Sequence, residues 1–332
     1  EGSKMWKSSN KGVTWSSYTI NHGGYRFNYF YNDFVLSPDN NSIMYHAGNM
    51  VSKSTNEGAN FNSSYGYYSG TVHPDVNDLE IRKDGQGNDI IWCANDGGIN
   101  VSYDNGSTWK NLNGTGLNIT QVYGVDMNPE KDFINIGCQD LGIYTYNNGS
   151  WINTAVGDGY FAYYNHHTNK MFNSNQHSLF QVDRYGVTSN YTLKSMKFGV
   201  NYIGRMYMGF NMALNVMEPT SNVATNIYNF TSGGYRLYGM GVSKSDANVL
   251  YMGMDHPTWT SSKSNRLYKS TNAKSTSISF TDLGVGSNLT QWWNKGISDI
   301  IVDPNNSNHV WICFGQYISD AQRIFFSSDG GV

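Results

Sequence analysis

Residues Ile90 to Trp109 read IIWCANDGGINVSYDNGSTW, and the rest of the 332-residue chain repeats this stretch in blurred form. Ile90 to Ala94 is a short run of β-branched and aromatic residues. Asn95-Asp96-Gly97-Gly98 follows, a set of residues that tolerates positive φ at a tight turn. A second strand, Ile99 to Ser102, leads into Ser102-Tyr103-Asp104-Asn105-Gly106-Ser107-Thr108-Trp109, the pattern S-x-D-x-G-x-T-W. A short Asp side chain can close a turn onto backbone N–H groups, Gly106 can take a left-handed conformation, and Trp109 has the apolar area to pin the hairpin to a neighbour. The pattern predicts a structural clasp in which Trp109 and its counterparts Trp15 and Phe61 are largely buried.

Further copies open at Ser8 (SSNKGVTW, with Asn10, Gly12 and Trp15) and Ser54 (STNEGANF, with Asn56, Gly58 and Phe61). With Ser102 these openings stand 46 and 48 residues apart. Asn10 and Asn56 replace the Asp, so the turn is expected to survive there without the charge. A version one residue short opens at Thr145 (TYNNGSW), and a degenerate one lies at Val182 to Gly186. Ser270 opens a copy with an insertion (STNAKSTSISF), and Ser327-Ser328-Asp329-Gly330-Gly331 is the last.

A polar turn and an apolar strand precede each copy, as in SPDNNSIMYHAG, KDGQGNDIIWCA, NPEKDFINIGC and DPNNSNHVWICFG. One further apolar strand lies ahead of that, at Tyr29 to Leu36, Leu79 to Arg82, Val122 to Met127, Tyr160 to Tyr164, Met206 to Leu214, Leu237 to Val242 and Ile297 to Val302. The period is therefore four strands, labelled A to D from the centre outward, and no helix-period stretch competes with it. Residues 1–19 then read as the end of a preceding blade, 20–292 as six blades, and 293–332 as an incomplete further blade of one propeller assembly. The weakest blade is near residues 218 to 230, where EPTSNVATNIYNFTSGG keeps a turn and a strand but no box.

Thirty-six Gly and 25 Tyr with 14% charged residues fit many short strands and turns. A net charge of −3 gives no basic footprint, so nucleic acid is not an expected partner, and no apolar run reaches a membrane-spanning length. Cys93, Cys138 and Cys313 fall in WCAND, GCQD and ICFG, one place in three repeats, which reads as buried small hydrophobes and not as a metal site or disulfide framework. The chain opens at Glu1 in what reads as the middle of a blade, which predicts further residues upstream.

The S-x-D-x-G-x-T-W pattern resembles the Asp-box, or bacterial neuraminidase repeat. In sialidases, sortilin-type receptors and xyloglucan-active endoglucanases this repeat sits between the third and fourth strands of a β-propeller blade. NDGGINVSYDNGSTW, NITQVYGVDMNP and GDGYFAYYN extend the resemblance, which covers nearly the whole chain and is closest to sortilin-like and secreted bacterial propellers. It implies an all-β propeller and a secreted or cell-surface address; the two partial blades, at residues 1–19 and 293–332, would supply a third strand twice and so predict a segment of a larger propeller or of a propeller pair. The Asn-rich turns and the N-x-S/T triplets at Asn62, Asn118 and Asn288 agree with that address. The remaining blades or domains of the same polypeptide are implied as partners.

Propeller geometry puts the D-to-A and B-to-C connections on one face and the boxes on the other. Ligands are expected on the first face. Its D-to-A entries offer Arg26, His73, Asp75, Asp78, Gln121, Asp158, Arg205, Arg236, Trp292 and Trp293. Its B-to-C turns offer Asn95, Asp96, Gln139, Asp140, Gln176, His177, Asp255, His256 and Gln316. Arg26, His73, Asp75, Asp158, Arg205, Arg236, Trp292 and Trp293 are expected to meet at one mouth, where aromatic faces stack on sugars and the charged groups hold hydroxyls. Each also has a structural reading: Asp96 and Asp140 as turn-formers, the arginines as partners of acids between blades. Gly157-Asp158-Gly159 draws notice because an acid between two glycines has close backbone approach on both sides.

Three functions are compatible with this register. The first is a binding or scaffold module for a glycan or protein ligand, and it is the preferred reading. The alternative is a glycoside hydrolase, which needs a carboxylate pair at roughly 5 to 9.5 Å, with Asp75, Asp78, Asp96, Asp140 and Asp158 as candidates. A sialidase needs an arginine cluster, but the R-I-P motif that accompanies the family's first arginine is missing and no Tyr/Glu nucleophile pair can be assigned. No cofactor, metal or membrane insertion is expected. His166-His167 lies in an A-to-B turn with no third ligand spaced to join it.

Overall fold

The structure, a computed structural model, describes residues 4–19, 33–65, 72–113, 116–117, 119–129, 132–175, 178–183, 186–191, 197–210, 213–230, 236–255, 266–283, 296–315 and 323–331. The described secondary structure is all β, and the chain divides into two compact units, Glu1–Thr120 and Gln121–Val332.

The first unit holds a hairpin and two sheets. The hairpin is β1 (Lys4–Lys7) and β2 (Ser16–Thr19). Sheet one is β3 (Asp33–Ser37), β4 (Asn40–Ala47), β5 (Val51–Ser54) and β6 (Asn62–Tyr65). Sheet two is β7 (Val76–Lys83), β8 (Asp89–Asn95), β9 (Gly98–Ser102) and β10 (Lys110–Asn111).

The second unit begins with sheet three: β11 (Val122–Asn128), β12 (Phe133–Cys138), β13 (Gly142–Asn147) and β14 (Ser150–Ala155). Sheet four is β15 (Gly159–Asn165), β16 (Lys170–Asn175), β17 (Leu179–Asp183) and β18 (Gly186–Tyr191). Sheet five is β19 (Lys197–Val200), β20 (Met206–Phe210), β21 (Ala213–Met217) and β22 (Thr225–Asn229). Sheet six is β23 (Arg236–Val242), β24 (Leu250–Asp255), β25 (Arg266–Ser270) and β26 (Thr281–Asp282). A three-stranded sheet closes the unit, with β27 (Ile297–Asp303), β28 (Asn306–Phe314) and β29 (Ile324–Ser327).

Each four-stranded sheet is an antiparallel meander in chain order, as the period of four strands predicted. Apolar layers between successive sheets make the core. Tyr45, Val51, Val76, Leu79 and Ile91 join sheets one and two, and Phe133, Ile143, Tyr164, Met171 and Val182 join three and four. Phe172, Val200, Met206 and Met208 join four and five. Period-2 alternation explains the layering: along β16, Met171 packs with sheet three and Phe172 with sheet five. Cys93 and Cys138 are buried in second strands, where desolvation pushes their thiols up, that of Cys93 to about 12, and none of the three cysteines is in a disulfide.

The sequence register slips once. Met206 to Leu214 was expected to be a first strand. It is instead the second strand and the start of the third, with Lys197–Val200 as the first. Thr225–Asn229 is accordingly the fourth strand of sheet five. The cause is the brevity of β19, four residues (KFGV) without a turn signal ahead of them.

Five turns, four after the third strand of a sheet and one after β1, share a hydrogen bond from a serine hydroxyl to the Asx two residues on, an arrangement here called the serine turn. In the Ser102 copy the Ser hydroxyl donates to Asp104 Oδ1 at 2.9 Å and accepts from Gly106 N at 2.9 Å. Asp104 Oδ1 accepts from Thr108 N at 2.7 Å. Ser54 and Ser8 repeat the set with Asn56 and Asn10 in place of Asp. Ser327 donates to Asp329 and accepts from Gly331 N. In the Ser270 copy Asn272 Oδ1 reaches Ser279 N, so three inserted residues loop out while Phe280 still packs on the core. Lys11, Glu57 and Asn105, three residues after their serines, all have φ between 56° and 59°, followed by Gly12, Gly58 and Gly106 at positive φ. Two consecutive left-handed residues explain why glycine occupies the second place.

The aromatic that ends the turn behaves unequally. Phe61 is 4% exposed, and Trp109 is half-buried against the layer between sheets one and two. Trp15 was expected to be buried but is 59% exposed. It lines a groove of about 490 Å³ together with Met5, Trp6, Phe34, Leu36 and Met44. Thr145 opens no serine turn. It lies inside β13 and donates to Asn135, and a two-residue Asn148-Gly149 turn follows, both residues at positive φ.

Candidate functional site

A recurrent contact fixes what the serine-turn face does. The residue three places after the serine offers its carbonyl to the preceding sheet, where a tyrosine and a cation both donate to it. Asn105 O accepts from Tyr45 Oη (3.0 Å) and Lys53 Nζ (2.9 Å). Ala273 O accepts from Tyr207 Oη (3.0 Å) and Arg205 Nη1 (2.8 Å). Gly330 O accepts from Tyr251 Oη (3.3 Å) and Lys269 Nζ (3.2 Å). Each cation also lies 5.3 to 5.7 Å from the ring of its tyrosine. Tyr45 pairs with Lys53, and Tyr251 with Lys269, as cross-strand neighbours. In sheet five Val216 faces Tyr207, and Arg205 supplies the charge from the turn before β20. Burial pushes the Tyr207 and Tyr251 hydroxyls up to about 12, so both remain donors at neutral pH.

Arg205 therefore sits in an A-to-B turn and not at the D-to-A entry expected of it. It is 3% exposed, with Nε 3.1 Å from Glu218. Arg26, Trp292 and Trp293 lie outside the described residues, as do Gln176, His177, His256 and Gln316. Arg236 opens β23 opposite Asp255, consistent with an A-strand entry.

In the first unit two of the expected entry residues, His73 and Asp75, contact B-to-C turns. Asp75, at φ 61°, receives Asn49 Nδ2 on Oδ1 at 3.1 Å, and its N–H donates to Asn49 O. Asp96 N donates to Asp75 O, and Asp96 Oδ1 accepts from Asn77 Nδ2 at 2.9 Å. The His73 ring packs on Gly97, where an added Cβ would collide with it. Asp75 thus joins the B-to-C turn of one sheet to that of the next.

In the second unit Asp158 holds the equivalent place. Its Oδ1 accepts from Asp140 N at 2.9 Å, while Gln139 N donates to Gln121 O. Gly157 has φ 86°, and a Cβ on Gly159 would collide with Gly142 O, so the close approach read from Gly-Asp-Gly is present on the Gly159 side. Around this junction stand groups the sequence reading did not select. Tyr123 and Tyr160 face each other at 6.0 Å between ring centroids, tilted by 35°. Tyr123 is 42% exposed and donates to Gln139 Oε1 at 2.6 Å. Burial and then the Asp158 carboxylate raise both phenols, with Asp140 adding to Tyr123. Lys197, at the head of β19, lies 5.2 Å from the Phe161 ring and donates to Ser298 O at 2.9 Å, reaching past β23 to β27. Burial lowers its pKa, against the opposing pull of Asp299. The usable signal was the aromatic at the second position of β11 and of β15, in QVYG and DGYF.

This arrangement offers an aromatic pair, the Gln139 side-chain amide and two carboxylates at one rim of the second unit. Such a set can stack on a sugar face and hold hydroxyls. Among the described residues no group of three or more His, Cys, Asp or Glu could hold a metal.

Antiparallel four-stranded meanders stacked through apolar layers define an all-β protein of the β-propeller class. No family model and no curated protein matches the chain. Among solved structures it is similar to YCF48 from Cyanidioschyzon merolae, at 10% identity and a TM-score of 0.41, over 90% of this chain and 94% of that one. It is similar to the extracellular domain of the B. thetaiotaomicron hybrid two-component system BT4673, at 14% identity and a TM-score of 0.46, over 93% of this chain and 39% of that one. It is also similar to the GH74 enzyme of Niastella koreensis, at 18% identity and a TM-score of 0.34, over 91% and 46% of the two chains.

Proposed function

We propose that the chain is a glycan-binding module of an extracellular Asp-box β-propeller protein, with the Tyr123–Tyr160 rim as its binding surface. The observation that carries this reading is the tyrosine pair, Tyr123 exposed and Tyr160 half-buried, flanked by Gln139, Asp140 and Asp158. The five serine turns support the Asp-box assignment, because Ser, Asx and Gly make one hydrogen-bond set in every copy, Ser270 excepted at the glycine. Their carbonyls are occupied by neighbouring sheets in three copies, so the turns serve packing and the opposite connections are left for ligand. Asp75, Asp96 and Asp158 each hold an amide donor, a stitching role that favours binding over hydrolysis.

Titration with neutral oligosaccharides derived from xyloglucan, cellulose and mannan tests the proposal. Binding to at least one, weakened about tenfold or more by Tyr160→Ala, is expected, as the loss of one stacking face is worth about 1–2 kcal/mol. Binding unchanged by both Tyr123→Ala and Tyr160→Ala removes this site. Release of reducing sugar that Asp158→Asn abolishes replaces the module with a glycoside hydrolase.

A further inference from the structure

Of the three Asn-Gly dipeptides in the sequence, Asn113-Gly114 runs outside the described residues, and the other two lie in turns of opposite character whose difference points to a site of spontaneous covalent modification. Asn148-Gly149 forms the tip of the β13–β14 hairpin, with both residues exposed and at φ 50° and 86°. Gly149 N–H has no hydrogen-bond partner among the described residues, and nothing lies within 4 Å of where a Gly149 Cβ would stand. Asn105-Gly106, in the serine turn of sheet two, has the same composition and comparable backbone angles, φ 59° and 79°. There Gly106 is buried and its N–H is held by Ser102 Oγ at 2.9 Å. The Asn105 amide is held on both sides, Oδ1 by Asp89 N at 2.8 Å and Nδ2 by Asn88 Oδ1 at 3.4 Å.

We propose that Asn148 is a deamidation and isoaspartate-forming site and that the serine turn protects Asn105 from the same reaction. The Gly149 amide, deprotonated by solvent base, attacks Asn148 Cγ. A Cγ–N bond forms, the Cγ–Nδ2 bond breaks, and ammonia leaves with a proton from water. Water then opens the five-membered imide at either carbonyl, leaving an aspartyl or an isoaspartyl residue in place of Asn148. The step needs a free glycine nitrogen and an exposed Asn side chain, and of these two turns the hairpin tip supplies both. The aspartyl product keeps the hairpin, because Asp-Gly suits the same two-residue turn as Asn-Gly. The isoaspartyl product adds a backbone atom between Asn147 and Ser150, the pair that closes the turn.

The test is incubation of the full folded chain in mildly alkaline buffer, with peptide mapping and isoaspartyl methyltransferase labelling at both sites, beside the same chain unfolded in guanidinium. In the folded chain Asn148 is expected to react at least about tenfold faster than Asn105, the factor that an N–H hydrogen bond broken before attack imposes. In the unfolded chain the two rates should converge, and Ser102→Ala should raise the Asn105 rate in the folded chain. Equal rates in the folded chain, or a ratio unchanged on unfolding, overturns the proposal. Asn148→Ser should remove the label from the hairpin peptide while leaving the Asn105 peptide as it was, and label persisting in that hairpin peptide would also overturn it.

Discussion

The hairpins that follow β9 and β13 begin from near-identical sequence, SYDNGSTW and TYNNGSW, and one residue separates their fates. With the full count, Ser102 and Asp104 bind the turn from within, and the carbonyl of Asn105 is delivered to Tyr45 and Lys53 of the preceding sheet. With one residue fewer, the chain reverses in two residues at Asn148-Gly149, Thr145 is used inside its own sheet, and Trp151 is left 50% exposed. The comparison teaches that the longer turn is an inter-sheet part, whereas the shorter one is only a hairpin. Type I′ geometry closes a hairpin at no cost in extra residues, but it has no spare carbonyl to offer outward.

The largest expected effect concerns the closing aromatics. Phe61→Ala should cost about 3–5 kcal/mol in urea denaturation, as for other buried rings. Trp151→Ala and Trp15→Ala, at exposed positions, should each stay within about 1 kcal/mol. Similar losses at all three would erase the distinction between the turns.

Next comes the charge in the clamp. Arg205→Met should cost about 2–3 kcal/mol, the range of charge-assisted hydrogen bonds, because the buried Ala273 carbonyl and Glu218 both lose their cation. Arg82→Met, at an exposed arginine near Glu80, serves as the control and should change the urea midpoint little.

A smaller effect separates the Asp copy from the Asn copies by pH. Burial alone would raise Asp104, but hydrogen bonds from Thr108, Ser102 and the Ser107 backbone together hold it below the usual carboxylate value. A depressed folded pKa contributes stability that is present above the unfolded value and lost as pH falls through the folded one. Asp104→Asn should therefore flatten the acid limb of the stability profile below the usual carboxylate range, while Asn56→Asp should steepen it. Acid limbs unchanged by both substitutions would mean the charge is idle.

Much of this was legible in the sequence. The period of four strands, the five serine turns and the Cys93 and Cys138 burial all follow from patterns of turn residues and alternation, which act locally. Trp15 was misjudged because burial depends on a neighbouring sheet, and residues 4–19 contribute two strands. Arg205 was misplaced because β19 is too short to announce itself. The clamp left a trace that was not used: Lys7, Lys53 and Lys269 each precede the turn serine, and where Val101 or Phe326 stands there instead, the cross-strand partner is Trp92 or Trp311 and not tyrosine. The tyrosine rim escaped because candidates were sought in the connections, and Tyr123 and Tyr160 lie two residues past Gln121 and Asp158, inside the strands that follow.

The central claim is that one turn both closes its own hairpin and supplies the carbonyl gripped by the sheet before it. A double-mutant cycle of Ser102→Ala with Tyr45→Phe in urea denaturation tests it most directly. The account expects each single change to cost about 1–2 kcal/mol and the pair to cost less than their sum by about 0.5 kcal/mol or more, since loosening the turn already displaces the Asn105 carbonyl. Additivity within about 0.3 kcal/mol would show that hairpin closure and the inter-sheet grip are independent, and would contradict the claim.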